Sequence, residues 1–198
     1  MPRKAGTRLP LRQLADITGE TAYVSVLFGT TLDALTSCES SRHGMRAIID
    51  ITTFPLHATA SGLCALAFGP DELFASAATQ LNKFTSNTAA SPEALTELVG
   101  TARTTGFVCS DCSFEAEIYS LSAPLYDQAC LFVGTVIIAS VATRITPDQE
   151  QLIKTQLVSA CREITRNWGG HIPHHIEAAW EASLQHYQSP SYESDTAS

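Results

Sequence analysis

Cys109-Ser-Asp-Cys112 is the most chemically loaded spacing in the chain. A C-x-x-C can be a redox pair or half of a zinc site. Zinc asks for two further ligands, and the sequence holds no second C-x-x-C. His171, His174 and His175 could complete such a site only through a long-range contact. A redox pair usually places its first cysteine at a helix N-terminus, where the thiol pKa falls. Ser113-Phe-Glu-Ala-Glu117 gives no clear helix start. A structural role for the cysteines and a solvated loop for the histidines are the plainer readings. Asp111, Glu115 and Glu117 would share one face if the segment is extended. Paired carboxylates could do acid–base work, with a solvated loop as the default. His57 could serve as a base, or simply cap a core edge. No H-E-x-x-H, G-x-S-x-G, P-loop or G-x-G-x-x-G pattern occurs, so nothing marks a nucleophile with a positioned base. The chain is therefore read as neither an enzyme nor a cofactor or metal protein.

Ala58-Thr-Ala-Ser-Gly62 and Ser120-Leu-Ser-Ala-Pro124 are small and uncharged. Such residues leave space, and their hydroxyls give a few polar anchors, as a small-molecule pocket needs. Close helix–sheet packing with locally satisfied hydroxyls fits them equally well.

With 198 residues and 44% apolar side chains, the chain has enough material for a domain core. No apolar run is long enough to span a membrane. The net charge is −8, yet Arg3, Lys4, Arg8 and Arg12 crowd the first twelve residues. Residues 13–198 carry 8 basic against 20 acidic side chains, so the body will not hold a phosphate backbone by its own field. The basic N-terminus leads into no apolar segment, which argues against a secretory signal. Cys64, Cys130 and Cys161 sit in apolar segments as small hydrophobes. A reduced, cytoplasmic setting is the expectation.

The elements that must position these residues follow from patterning. Residues 8–17 predict a short amphipathic helix ended by Gly19. Thr21–Phe28 and Leu32–Cys38 flank a Gly-containing turn and predict a hairpin, with a third strand over Met45–Ile51. Residues 57–68 read as a smooth, Ala-rich helix stopped by Gly69-Pro70, and Asp71-Glu72 opens another. Ser91-Pro92 starts a helix that Gly106 ends. Phe107–Cys109, Ile118–Tyr126 and Cys130–Val141 predict strands. Thr146-Pro147-Asp148-Gln149 predicts a capping box for the last core helix, ended by Gly169-Gly170. Residues 174–187 could form a short helix, and the end from Ser189 is disorder-like. The order predicts an α+β domain with a mainly antiparallel sheet flanked by helices.

Several stretches carry a family resemblance. They are Thr18-Gly19-Glu20-Thr21, Phe54-Pro-Leu-His-Ala-Thr-Ala-Ser-Gly62, Gly106-Phe107, Ser122-Ala-Pro-Leu-Tyr-Asp127 and Arg144-Ile-Thr146. In this order they resemble the C-terminal effector-binding domain of the IclR (isocitrate lyase regulator) family of bacterial transcription factors. The resemblance covers roughly residues 11–170. It leaves residues 1–10 as a basic linker remnant and 171–198 as an acidic C-terminal extension.

The resemblance implies a GAF-like fold, in which a curved antiparallel sheet forms one wall of a ligand cup. It implies a small-molecule effector, often an organic or aromatic acid, and assembly as a homodimer or homotetramer. DNA contact is expected only through a winged-helix domain absent from this chain. Mapped through the matching stretches, the ligand-binding positions are Ala60, Ser61, Ser110, Ile118, Ser120, Ile137 and Ala139. The backbone amides of Ala60 and Ser61 would hold a carboxylate at a helix start.

Some residues depart from the family pattern. Leu63 stands where the family usually has Lys, Ser110 where an acid is common, and Ile137 and Ala139 where some members present serines. Asp111–Ile118 lacks the usual glycine step. A more apolar pocket follows, suited to an aromatic or larger hydrophobic acid. Two other readings fit the same sequence. One is a metal- or redox-active protein using Cys109 and Cys112. The other is a dimerising partner that forms mixed oligomers with a full-length regulator.

Overall fold

The computed structural model describes residues 2–44, 47 and 55–185, residues 2–5 as backbone only. The strand expected over 45–51 lies outside the described residues apart from Ala47, as does the tail from residue 186. The chain opens with a helix, α1 (Pro2–Thr18), and a hairpin of β1 (Thr21–Phe28) and β2 (Thr31–Cys38). Three helices follow: α2 (Ala60–Phe68), α3 (Asp71–Ala77) and α4 (Pro92–Thr105). Then come β3 (Val108–Asp111), β4 (Ile118–Tyr126), β5 (Phe132–Val141), α5 (Pro147–Asn167) and α6 (His174–Gln185). The described strands form an antiparallel sheet in the order β2-β1-β5-β4-β3. The α+β expectation stands.

Helix α1 is longer than the 8–17 stretch that patterning marks. It runs through Pro10, whose missing N–H leaves the Gly6 carbonyl without its intrahelical donor. The Asn167 side-chain amide supplies that donor from the end of α5, at 2.9 Å. The Trp168 indole adds a bond to the Thr7 hydroxyl at 3.1 Å. The break that Pro10 threatens is thus repaired by residues far away in sequence.

Helices α1 and α5 pack against each other and onto one face of the sheet, α1 on the β1–β2 hairpin and α5 on β4 and β5. Helix α2 lies on the opposite face, against β3, β4 and β5. Residues 60–67 of α2 are all buried, and Gly62 is what lets it settle. A Cβ there would lie 2.3 Å from the Leu56 Cα.

Caps set the helix boundaries. Ser91 and Thr146 cap α4 and α5 through the Ala94 and Gln149 amides. The reciprocal half of the predicted capping box is absent from the described hydrogen bonds. The Gln149 side chain instead donates to the Thr18 carbonyl at 2.8 Å, tying α5 to the end of α1. β5 begins at Phe132 rather than Cys130 because Cys130 has a φ of +58° and belongs to the turn.

Candidate functional site

Two local features build the start of α2. The Pro55 carbonyl accepts from the Ala58 and Thr59 amides and from the Thr59 hydroxyl. Thr59 then caps the helix, accepting from the Gly62 amide at 3.1 Å. For this reason α2 begins at Ala60 and not at His57. The Ala60 and Ser61 amides fall among the four N–H groups a helix cannot satisfy internally. Neither donates to a described residue.

Side chains of the sheet clamp this helix start. The Ser110 hydroxyl donates to the Ala58 carbonyl at 3.1 Å, and the Ser122 hydroxyl to the Ala60 carbonyl at 2.9 Å. Further along α2, burial pushes the Cys64 thiol up to about 12, against the pull of the neighbouring Thr135 and Ser122 hydroxyls.

Strand register places most of the expected positions together. Thr21 pairs Ala139, Ala139 pairs Ser120, and Ser120 pairs Ser110. This makes one row across four strands on the face that carries α2. The next row holds Tyr23, Ile137, Ser122 and Val108. Ser110, Ser120, Ile137 and Ala139 therefore form a contiguous patch opposite Ala60 and Ser61. Ile118 is two residues from Ser120 on β4, shares its face and pairs Val141 at the margin of the patch.

Three buried hydroxyls near this patch have no hydrogen-bond partner: Ser61 Oγ, Thr21 Oγ1 and Ser25 Oγ. Buried polar groups are almost always paired, so three orphans gathered on one face are unusual. Burial raises the Tyr23 phenol, while the adjacent Ser61 hydroxyl pulls it down and the Glu115 carboxylate pushes it up. Motif reasoning missed Thr21, Tyr23 and Ser25. Their signal was present as a polar alternation with Ala22, Val24 and Val26, but all six residues are buried, so both faces of β1 pack.

An aromatic trio stands beside the helix start. His57 accompanies Phe84 at 5.7 Å between ring centroids, and Phe84 meets Phe114 edge-on at 4.9 Å. A ring nitrogen of His57 is hydrogen-bonded to the Asn82 carbonyl at 2.8 Å. This is the structural reading of His57, at a core edge.

The other candidates disperse. Asp111 is the last residue of β3, and residues 112–117 turn rather than extend, with Cys112 at a φ of +52°. Asp111, Glu115 and Glu117 therefore do not form one face of a strand. Both cysteines of the C-x-x-C are free thiols. Burial pushes Cys109 up to about 11 and also raises Cys112, helped by the neighbouring Asp111. Activating a redox cysteine requires the opposite shift. His174 begins α6 and His171 lies in the segment before it.

The comparisons with known proteins agree with this fold. Residues 4–166 match the family described as bacterial transcriptional regulator IclR, C-terminal. A solved regulator of the IclR type from Silicibacter sp. TM1040 is 30% identical, with a TM-score of 0.84 over 88% of this chain and 70% of that one. The Thermotoga maritima IclR structure gives a TM-score of 0.77 at 23% identity, over 85% of this chain and 69% of that one. The C-terminal domain of the E. coli transcriptional regulator KdgR gives 0.74 at 20% identity, over 85% of this chain and 99% of that one. No curated protein matches the sequence. The fold and the family match define a domain of transcriptional regulators. The chain belongs to the IclR C-terminal family of bacterial transcriptional regulators.

Proposed function

We propose that the domain senses a small organic acid at the start of α2 and passes that state to a regulator's oligomeric arrangement. The observation that carries this reading is the buried, unpartnered Ser61 hydroxyl beside helix amides that no described residue accepts from. A helix N-terminus favours an anion through its free N–H groups and its dipole. Ala60 and Ser61 supply the carboxylate contact, and Ser120, Ser110 and Thr21 supply hydroxyls around it. Ile118, Ile137, Ala139 and the Tyr23 ring give the patch its apolar part, which suits an aromatic or larger hydrophobic acid.

The mechanism is a population shift between two dimer or tetramer arrangements, driven by differential affinity of the acid for them. Contact with DNA belongs to a separate winged-helix domain of the assembled regulator, in keeping with the acidic body of this chain. The setting is cytoplasmic, and the role is binding rather than catalysis. Calorimetric titration with benzoate and phenylacetate, against pyruvate and glyoxylate, tests the ligand class. Saturable heat with the aromatic acids and a weaker response to the small ones is expected. Binding of pyruvate or glyoxylate with none of the aromatic acids overturns the apolar-pocket reading.

A further inference from the structure

A cavity of about 460 Å³ opens on the sheet face away from α2, bordered by α4, α5, α6 and the β3–β4 edge. Its size lies within the range of small-molecule sites. Phe107 and Leu121 give it an apolar floor, Ala182 of α6 forms part of its wall, and Cys109, Glu150 and Lys154 bring the polar chemistry. The wall is anchored. The Trp180 indole donates to the Gly106 carbonyl at 2.8 Å, and the Ser183 hydroxyl donates to the Thr105 carbonyl at 2.9 Å. Helix α6 lies beyond the residues matched by the family, 4–166.

A second observation points to a ligand. Tyr119 faces this side of the sheet, because Cys109 pairs Leu121 while Asp111 pairs Tyr119. The Tyr119 ring is 5% exposed and its hydroxyl has no hydrogen-bond partner. That hydroxyl lies beside the Cys109 thiol and the Glu150 carboxylate, both of which line the cavity. The charged groups of the lining already satisfy one another, with Lys154 Nζ 2.5 Å from Glu150 Oε1. A carboxylate would have to draw Lys154 from Glu150, and an ammonium would have to draw Glu150 from Lys154. A neutral molecule leaves the pair intact.

We propose that this cavity is a second small-molecule site. It takes a neutral aromatic molecule with one hydrogen-bonding head, an alcohol, phenol or amide. The head meets the Tyr119 hydroxyl and the ring rests on Phe107 and Leu121. The site is separate from the effector patch, since the sheet lies between them.

Cys109 borders the cavity, so its alkylation reports occupancy. The experiment follows iodoacetamide labelling of the Cys109 peptide by mass spectrometry in the full chain, with exposed Cys130 as internal reference. The probes are benzyl alcohol, phenol and benzamide, against benzoate and benzylamine. With a neutral probe at about ten times its Kd, Cys109 labelling slows about tenfold, because only the free fraction reacts. Cys130 labelling is unchanged. Ala182→Trp, at an exposed position of the wall, abolishes the protection, and Tyr119→Phe weakens it while the ring remains. Three results overturn the proposal: no protection by any neutral probe at millimolar concentration, stronger protection by benzoate or benzylamine, or protection untouched in both variants. The last places the bound probe elsewhere, the effector patch included.

Discussion

Arg144 grips Glu20 at two points across 124 residues of sequence, Nε to Oε1 at 2.9 Å and Nη2 to Oε2 at 2.6 Å. The Glu20 side chain is 2% exposed. The two residues come from the Thr18–Thr21 and Arg144–Thr146 stretches that carry the family resemblance. Their pairing joins the start of β1 to the turn before α5, beside the row of Thr21 and Ala139. Removing Arg144 strands a buried carboxylate, so Arg144→Ala should cost about 3–5 kcal/mol in urea unfolding. Glu20→Gln combined with Arg144→Met should recover much of that loss. A loss under about 0.5 kcal/mol for Arg144→Ala would place the pair among ordinary surface contacts.

Gly62 gives a prediction of opposite sign to helix propensity. Alanine usually stabilises a helix interior over glycine by roughly 0.5–1 kcal/mol. Here the added Cβ meets the Leu56 Cα at 2.3 Å and the Leu56 carbonyl oxygen at 2.5 Å, and backbone cannot step aside cheaply. Gly62→Ala should therefore lower stability by about 1–3 kcal/mol. Thermal unfolding at neutral pH checks it, and a raised midpoint would contradict the close crossing.

Cys64 predicts an alkaline limit. Its folded thiol is held at about 12 against an ordinary 9.0. The folded state therefore keeps a proton that the unfolded chain releases. The stability this contributes is fully present below pH 9 and is lost as pH rises from there towards 12. Cys64→Ala should flatten the fall in stability between pH 9 and pH 11 relative to the parent chain. Equal slopes for both proteins in circular-dichroism melts would contradict the buried-thiol assignment.

Much of the architecture is legible in local chemistry. Ser91-Pro92 and Thr146-Pro147 mark helix starts because capping is a contact between near neighbours. The Ile118–Tyr126 strand has the predicted bounds. What escaped depends on distant partners. The extension of α1 through Pro10 needs Asn167, and Gln149 abandons its own cap for Thr18. The candidate site was half legible. The motif stretches point to Ala60, Ser61, Ser110, Ser120, Ile137 and Ala139, yet only register shows that Thr21, Tyr23 and Ser25 stand on the same face. Ser122, part of a stretch suited either to a pocket or to packing, is a packing clamp on Ala60.

The central claim is that the start of α2 binds the carboxylate of an organic acid. The most direct test follows the backbone amide resonances of the full chain by nitrogen–proton correlation spectroscopy while benzoate is added. The Ala60 and Ser61 amides are expected to shift downfield and saturate together, as free donors gaining a charged acceptor do. Saturable binding that leaves both amides unmoved while resonances elsewhere shift would contradict it.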